Sequence, residues 1–203
     1  MQKDTNRRDM DLSLSPDQLL GAYMAGCFPM ADPDDRNRIR WYAPDPRAVL
    51  PILDFKPPKS LRARIRKRVY HITRNQEFDR VIDLCASREE TWISEEIIAA
   101  YRALHRLGYA HSIEAWENDE LVGGLYGVAI NGLFCGESMF SNRVDASKVA
   151  LVYLVEMLID RGFVLLDIQF MTEHLRRFGA IEIPREEYEK QLRRALSIVT
   201  TWN

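Results

Sequence analysis

The chain has 203 residues, 46% hydrophobic and 29% charged, with a formal charge of −2, which suits a soluble globular protein of one larger domain or two small ones. Residues 1–10 contain no apolar core of a secretory signal, and the longest apolar run, 149–159, is interrupted by Glu156 and too short to span a bilayer. Cys27, Cys85 and Cys135, like His71, His105, His111 and His174, are scattered, so they fit a reducing compartment and match no zinc spacing.

Residues 1–12 are polar and read as a frayed arm. Ser15, Pro16 and Asp17 then give cap, first-position and first-turn signals for a helix, whose apolar stripe is Leu19, Leu20, Tyr23 and Met24. The Pro- and Asp-rich stretch up to Pro51 predicts a loop with short strands at 40–42 and 48–50. Residues 59–68, "KSLRARIRKR", predict a short helix capped by Ser60. The helix is dense in Lys and Arg, so it either contacts phosphates or is a solvated face. A strand then follows around His71 and a helix over 76–86. Ser94 caps a further helix, with Glu95 and Glu96 in its first turn, an apolar face from Ile97 to Leu107, and Gly108 as its stop.

From His111 the pattern turns to strands. "SIEAWEN", "LVGGLYGVAI" and "LFCGESMF" form a three-stranded meander, with Asn131–Gly132 as the second hairpin turn. Asp145 or Ser147 caps a helix over Ala146–Asp160 that is apolar nearly all round and therefore buried. "FVLLDIQF" is a strand, a short helix passes through His174, and the last helix starts at Pro184. The order β-β-β-α-β-α suggests an α+β domain with a mixed sheet, and the whole reads as an arm 1–12, a small domain 13–108 and a second domain 109–203.

Two groups carry the chemistry. Strand alternation places Asp167 and Gln169 on one face, and Glu137 on a face with Cys135 and Met139. A buried carboxylate is costly unless it meets a partner, so these three groups either orient and deprotonate an amine or satisfy loops and caps. Leu151, Leu154 and Leu158 floor an apolar pocket or are ordinary core, and Trp41, Tyr42 and Trp92 stack on a base or pack inside. The strand–helix order resembles the acetyl-CoA-dependent N-acetyltransferases, but "SNRVDASK" lacks the glycine-rich pyrophosphate turn, which argues against CoA. A non-catalytic RNA- or peptide-binding module is the other alternative.

The motifs "GCFPM", "WYAPDPRAVL", "TWISEEIIAAYRALHRLGYAHS", the stretch from His111 to Leu151 and "LLDIQFMTEHLRRFGAIEIPREEY" together resemble the bacterial leucyl/phenylalanyl-tRNA–protein transferase family. The resemblance covers nearly everything after residue 12. It implies an enzyme that moves Leu or Phe, less often Met, from aminoacyl-tRNA to the N-terminal Arg or Lys of a protein, marking it for degradation by the N-end rule. It also implies a cytoplasmic enzyme with no metal and no cofactor, and a small N-terminal domain followed by an N-acetyltransferase-like (GNAT-like) domain; nothing in the chain demands more than a monomer. By similarity, Asp167 and Gln169 match the catalytic DxQ pair and Glu137 the GES glutamate. Leu125, Phe134, Leu154 and Leu158, with Leu151 beside them, fall at the apolar side-chain pocket. Trp92 and Tyr101 match residues near the terminal adenosine. Met30 stands where many members carry an aromatic that stacks on that adenine. Lys59, Arg62, Arg66 and Lys67 fall in the tRNA-contacting region.

Overall fold

The computed structural model describes residues 7–8, 14–35, 38–88 and 91–202. Apart from Arg7 and Arg8, which form a short strand (β1), the arm expected over residues 1–12 lies outside the described residues. Helix α1 (Pro16–Met24) starts at Ser15, but the Ser15 hydroxyl donates to Gln18 rather than capping the backbone. Strands β2 (Phe28–Ala31), β3 (Ile39–Tyr42) and β4 (Arg47–Leu50) follow. The first of these, hidden by Pro29, was not foreseen. Helix α2 (Lys59–Arg66) is preceded by Pro58 and not by the expected Ser60, because the rigid φ of proline already sets the entry to the helix.

The chain continues through β5 (His71–Arg74), α3 (Phe78–Ala86) and α4 (Glu95–Arg106). The Ser94 side chain caps α4 as predicted, accepting from the Ile97 N–H. Then come β6 (Ala110–Glu117), β7 (Glu120–Ile130), β8 (Leu133–Ser141), α5 (Ala146–Asp160) and β9 (Leu165–Gln169). Asp145 opens α5 in the left-handed region at φ 67°, yet its carboxylate serves Lys148 and Arg64. A short α6 (Glu173–Arg176), an unforeseen strand β10 (Ile181–Ile183) and α7 (Arg185–Leu196) complete the described chain.

Seven strands form one mixed sheet in the order β10-β4-β9-β8-β7-β6-β5, antiparallel except for the parallel pair β8–β9, whose connection contains α5. A smaller sheet has the order β1-β3-β2. Helices cover both faces of the large sheet. On one side α1, α3, α4 and α7 bury residues such as Leu19, Tyr23, Val81, Ile97 and Leu192. On the other, α5 contributes Ala150, Leu151, Leu154 and Leu158, with Leu61 of α2. Burying two apolar layers this way supplies most of the driving force for the fold. Near the C-terminus, Trp202 stacks on His111 at 4.3 Å and on Phe134 at 5.4 Å.

One irregularity positions the site. The pairing of β7 with β8 slips by one residue: Gly127 faces Gly136, Tyr126 faces Ser138, and Glu137 is the extra residue. Gly127 is required there, since a Cβ would fall 2.3 Å from the Cys135 carbonyl oxygen. Beyond the slip the faces exchange. Phe140 joins the core that holds Cys135, while Met139 packs against the opposite one, not beside Cys135 as strict alternation predicts.

Candidate active site

Glu137 is held out of the strand ladder by the bulge, half-buried, in the wall of a cavity of about 480 Å³. Its carboxylate accepts from the Tyr23 hydroxyl of α1 at 2.8 Å and from the Tyr101 hydroxyl of α4 at 3.0 Å. The two hydroxyls also contact each other. Gln169 Nε2 donates to the same carboxylate at 3.1 Å. Burial pushes the Glu137 carboxyl up to about 7, despite the two tyrosine donors that pull it down. A proton is therefore taken up and released there near neutral pH.

Gln169 ends β9 with φ +61°, in the left-handed region that a non-glycine residue seldom adopts. Its backbone N–H donates to Asp167 Oδ1 at 2.9 Å, which pins this turn and directs the amide toward Glu137. Asp167 itself is fully buried and lies behind the cavity wall. Arg47 of β4 grips it with Nε at 2.9 Å from Oδ1 and Nη2 at 2.6 Å from Oδ2, and the Tyr188 hydroxyl of α7 adds a bond of 2.8 Å. The Arg47 guanidinium is itself sandwiched between the rings of Phe28 and Tyr188, 4.7 and 4.6 Å from their centroids. The Cys135 thiol approaches Asp167 at 3.8 Å, and burial raises it well above its ordinary range, so it stays protonated.

Of the expected apolar pocket, Leu125, Leu151 and Leu154 line the cavity, together with Leu166 and Ile168. Phe134 and Leu158 do not line it; both are fully buried, and the Phe134 ring lies against Trp202. Met30 and Trp92, expected at an adenosine, line the same cavity. Tyr101 does not: its ring packs edge-on against Tyr126 and its hydroxyl faces Glu137. Lys59, Arg62 and Arg66 line a separate groove of about 650 Å³ beside Glu156, and Lys67 is exposed at the end of the same helix.

Sequence reasoning missed four residues here. Arg47 looked like part of a proline-rich loop, and Tyr23 like a member of an apolar stripe. Arg88 lines the cavity and donates to the Ser138 hydroxyl at 2.6 Å. Tyr126 also lines it, with a buried hydroxyl that has no partner among the described residues. Among the described residues no three His, Cys, Asp or Glu side chains are grouped to hold a metal ion, and no helix is long and apolar enough to cross a membrane. The arrangement can hold an apolar side chain against Leu125, Leu151 and Leu154 while a carboxylate and an amide act on a polar group above it.

Residues 49–193 match the family described as leucyl/phenylalanyl-tRNA protein transferase, and residues 12–45 match the N-terminal domain described for the same family. A leucyl/phenylalanyl-tRNA–protein transferase from Salinibacter ruber is 51% identical over 93% of this chain and 83% of its own length. The proteins of that name from Ruegeria pomeroyi and Rubrobacter xylanophilus are 49% and 53% identical, each over 92% of this chain and over 89% and 97% of their own lengths.

Proposed function

The chain belongs to the leucyl/phenylalanyl-tRNA–protein transferase family, and we propose that it transfers Leu or Phe, and less often Met, from aminoacyl-tRNA to the N-terminal Arg or Lys of acceptor proteins. The observation that carries this reading is the convergence of Glu137 and Gln169 on one cavity whose floor is Leu125, Leu151 and Leu154. An aminoacyl side chain fills the floor. The ester carbonyl then lies near the polar wall.

The acceptor amine attacks that carbonyl, the C–N bond forms, and the bond to the ribose oxygen breaks. The ester is already activated, so positioning and proton removal suffice. Glu137 takes the proton. Gln169 presents its amide oxygen to the amine, and Asp167 acts on it from behind by fixing the turn at Gln169. Met30 and Trp92 hold the terminal adenine, Met30 by soft packing in place of an aromatic ring. Arg88, a cation on the same wall, meets the adjoining phosphate. Tyr101, Phe134 and Leu158 contribute from behind, as support for Glu137 and for the pocket lining. Lys59, Arg62, Arg66 and Lys67 hold the tRNA backbone by sequence-independent charge contacts.

The reading includes a division of labour in which residues 13–108 grip tRNA and lend Tyr23, Arg47 and Tyr101 as supports, while residues 109–203 carry Glu137, Asp167 and Gln169, the latter with an N-acetyltransferase-like (GNAT-like) arrangement whose sheet also takes in β4 and β5. The parallel β8–α5–β9 unit at the centre of the mixed sheet supports that likeness. We place the enzyme in the cytoplasm as a monomer, where charged tRNA is found. The test is to mix the protein with radiolabelled leucyl-tRNA and two peptides, one beginning with Arg and one with Ala. Label on the Arg peptide alone is expected; label on neither, with charged tRNA and folded protein, overturns the reading.

A further inference from the structure

Tyr23, Tyr101 and Glu137 form a closed triangle of contacts. Tyr23 reaches Glu137 Oε1 at 2.8 Å, Tyr101 reaches Oε2 at 3.0 Å, and the two hydroxyls touch. Each phenol owns one hydrogen and can both donate and accept. Three contacts therefore share two hydrogens while Glu137 is ionised, and one contact must lack a hydrogen. A third hydrogen, on the carboxyl, completes a head-to-tail ring in which each of the three side chains donates once and accepts once.

We infer that this ring carries the proton of the transfer reaction: Tyr23 and Tyr101 are positioning residues that let Glu137 receive a proton on one carboxylate oxygen and release it from the other. The inference rests on the function proposed above. The two rings come from α1 and α4, 78 residues apart, and both are buried at 1% exposure or less, so neither hydroxyl lies open to bulk water. Burial also raises both phenols well above their ordinary value, which keeps both hydrogens in place. Reversing the sense of the ring moves the acid hydrogen from Oε1 to Oε2 with no movement of the Glu137 side chain. The other groups facing Glu137 do not compete for this hydrogen. Asp167 is held by Arg47, Gln169 donates its amide to Oε1, and Cys135 and Tyr126 are kept protonated by burial.

The step balances. The amine nitrogen forms its bond to the carbonyl carbon and gives one proton to Glu137. The bond to the ribose oxygen breaks with its electron pair on oxygen, and that oxygen takes the hydrogen from the completed ring. Glu137 returns to its ionised form.

The test uses the full chain and leucine transfer from leucyl-tRNA to an Arg-initiated peptide. An inactive wild type overturns the function itself, whatever the ring does. With an active wild type, Tyr23→Phe and Tyr101→Phe keep the buried rings and remove one hydroxyl each. The expected result is a kcat about 10- to 100-fold lower in each, with KM for tRNA within about twofold of wild type. The pH at which the rate reaches half its plateau also moves upward, because Glu137 loses a donor that favours its charged form. Variants that fold and keep the wild-type kcat overturn the ring, and so does a rate lowered evenly at every pH. Should either variant fail to fold, a proton inventory on the wild type in mixtures of light and heavy water decides. A curved dependence, from several hydrogens moving together, is expected; a linear one overturns the ring.

Discussion

Arg47 and Asp167 face each other across adjacent strands, 120 residues apart in sequence, with two bonds of 2.9 and 2.6 Å and no meaningful exposure on either side. The pair fixes the end of β9, since the oxygen that binds Arg47 Nε also accepts from the Gln169 N–H. Breaking a buried pair by removing one partner is costly, because the other charge stays buried and alone. Arg47→Met is therefore expected to cost about 3–5 kcal/mol of unfolding free energy in urea. Arg47→Met combined with Asp167→Asn is expected to recover much of it, and a double variant no more stable than the single one contradicts the pairing argument. Asp167→Asn alone is expected to lose turnover while keeping tRNA affinity, read by single-turnover transfer and by filter binding.

Glu137 makes stability depend on pH in an unusual direction. Its carboxyl sits near 7 in the folded protein against an ordinary value of 4.5. The folded state then binds the proton more tightly than the unfolded chain. Its contribution to stability is full below about pH 4.5 and is lost as pH rises toward 7. Glu137→Gln removes this titration. The difference in melting temperature between Glu137→Gln and wild type is expected to shift in favour of the variant from pH 5 to pH 8; a constant difference means that Glu137 does not titrate in this range.

Much of this frame was legible in the sequence, and the gaps have physical reasons. Helices α4 and α5 were visible from the Ser94 cap and from apolar periodicity, and the meander from alternation and the Asn131–Gly132 turn, because these signals are local. Strands β2 and β10 are short, at four and three residues, and Pro29 disguises the first. The slip between Tyr126 and Gly127 cannot be read from one strand, since register belongs to a pair, so Met139 was assigned to the wrong face. Glu137 stood out because a carboxylate among Phe134, Met139 and Phe140 demands an explanation. Its partners Tyr23 and Tyr101 did not, because a tyrosine on an apolar stripe looks like core, and only the fold reveals where its hydroxyl points.

The cavity floor gives a specificity prediction. Leu125 lines the cavity opposite α5, whose Leu151 and Leu154 also line it. Leu125→Ala deepens the space by roughly three methylene-sized groups. A methylene-sized mismatch in an apolar pocket is worth about 1–3 kcal/mol. The ratio of kcat/KM for phenylalanyl- over leucyl-tRNA is expected to rise about tenfold or more, since the larger ring fills the new space and leucine does not. Competition between the two charged tRNAs in one reaction measures this ratio directly. A ratio unchanged from wild type removes Leu125 from the side-chain pocket.

The basic helix α2 tests the tRNA reading separately from the chemistry. Lys59, Arg62, Arg66 and Lys67 are exposed, and three of them line a groove that shares no lining residue with the cavity of Glu137. Arg62 Nε is partly occupied by the Pro57 carbonyl at 2.9 Å, and Lys59 and Arg66 have no acidic side chain bonded to them among the described ion pairs. A side chain that neutralises a phosphate releases counterions, so each such contact adds roughly 0.7–0.9 to the slope of log affinity against log salt. Lys59→Ala and Arg66→Ala together are expected to lower tRNA affinity and reduce that slope by about 1.4–1.8. The kcat at saturating tRNA should stay at the wild-type value, because neither residue lies at the cavity. A lower affinity with an unchanged slope would assign the loss to something other than phosphate contact, and an unchanged affinity would leave α2 a solvated face that plays no part in holding tRNA.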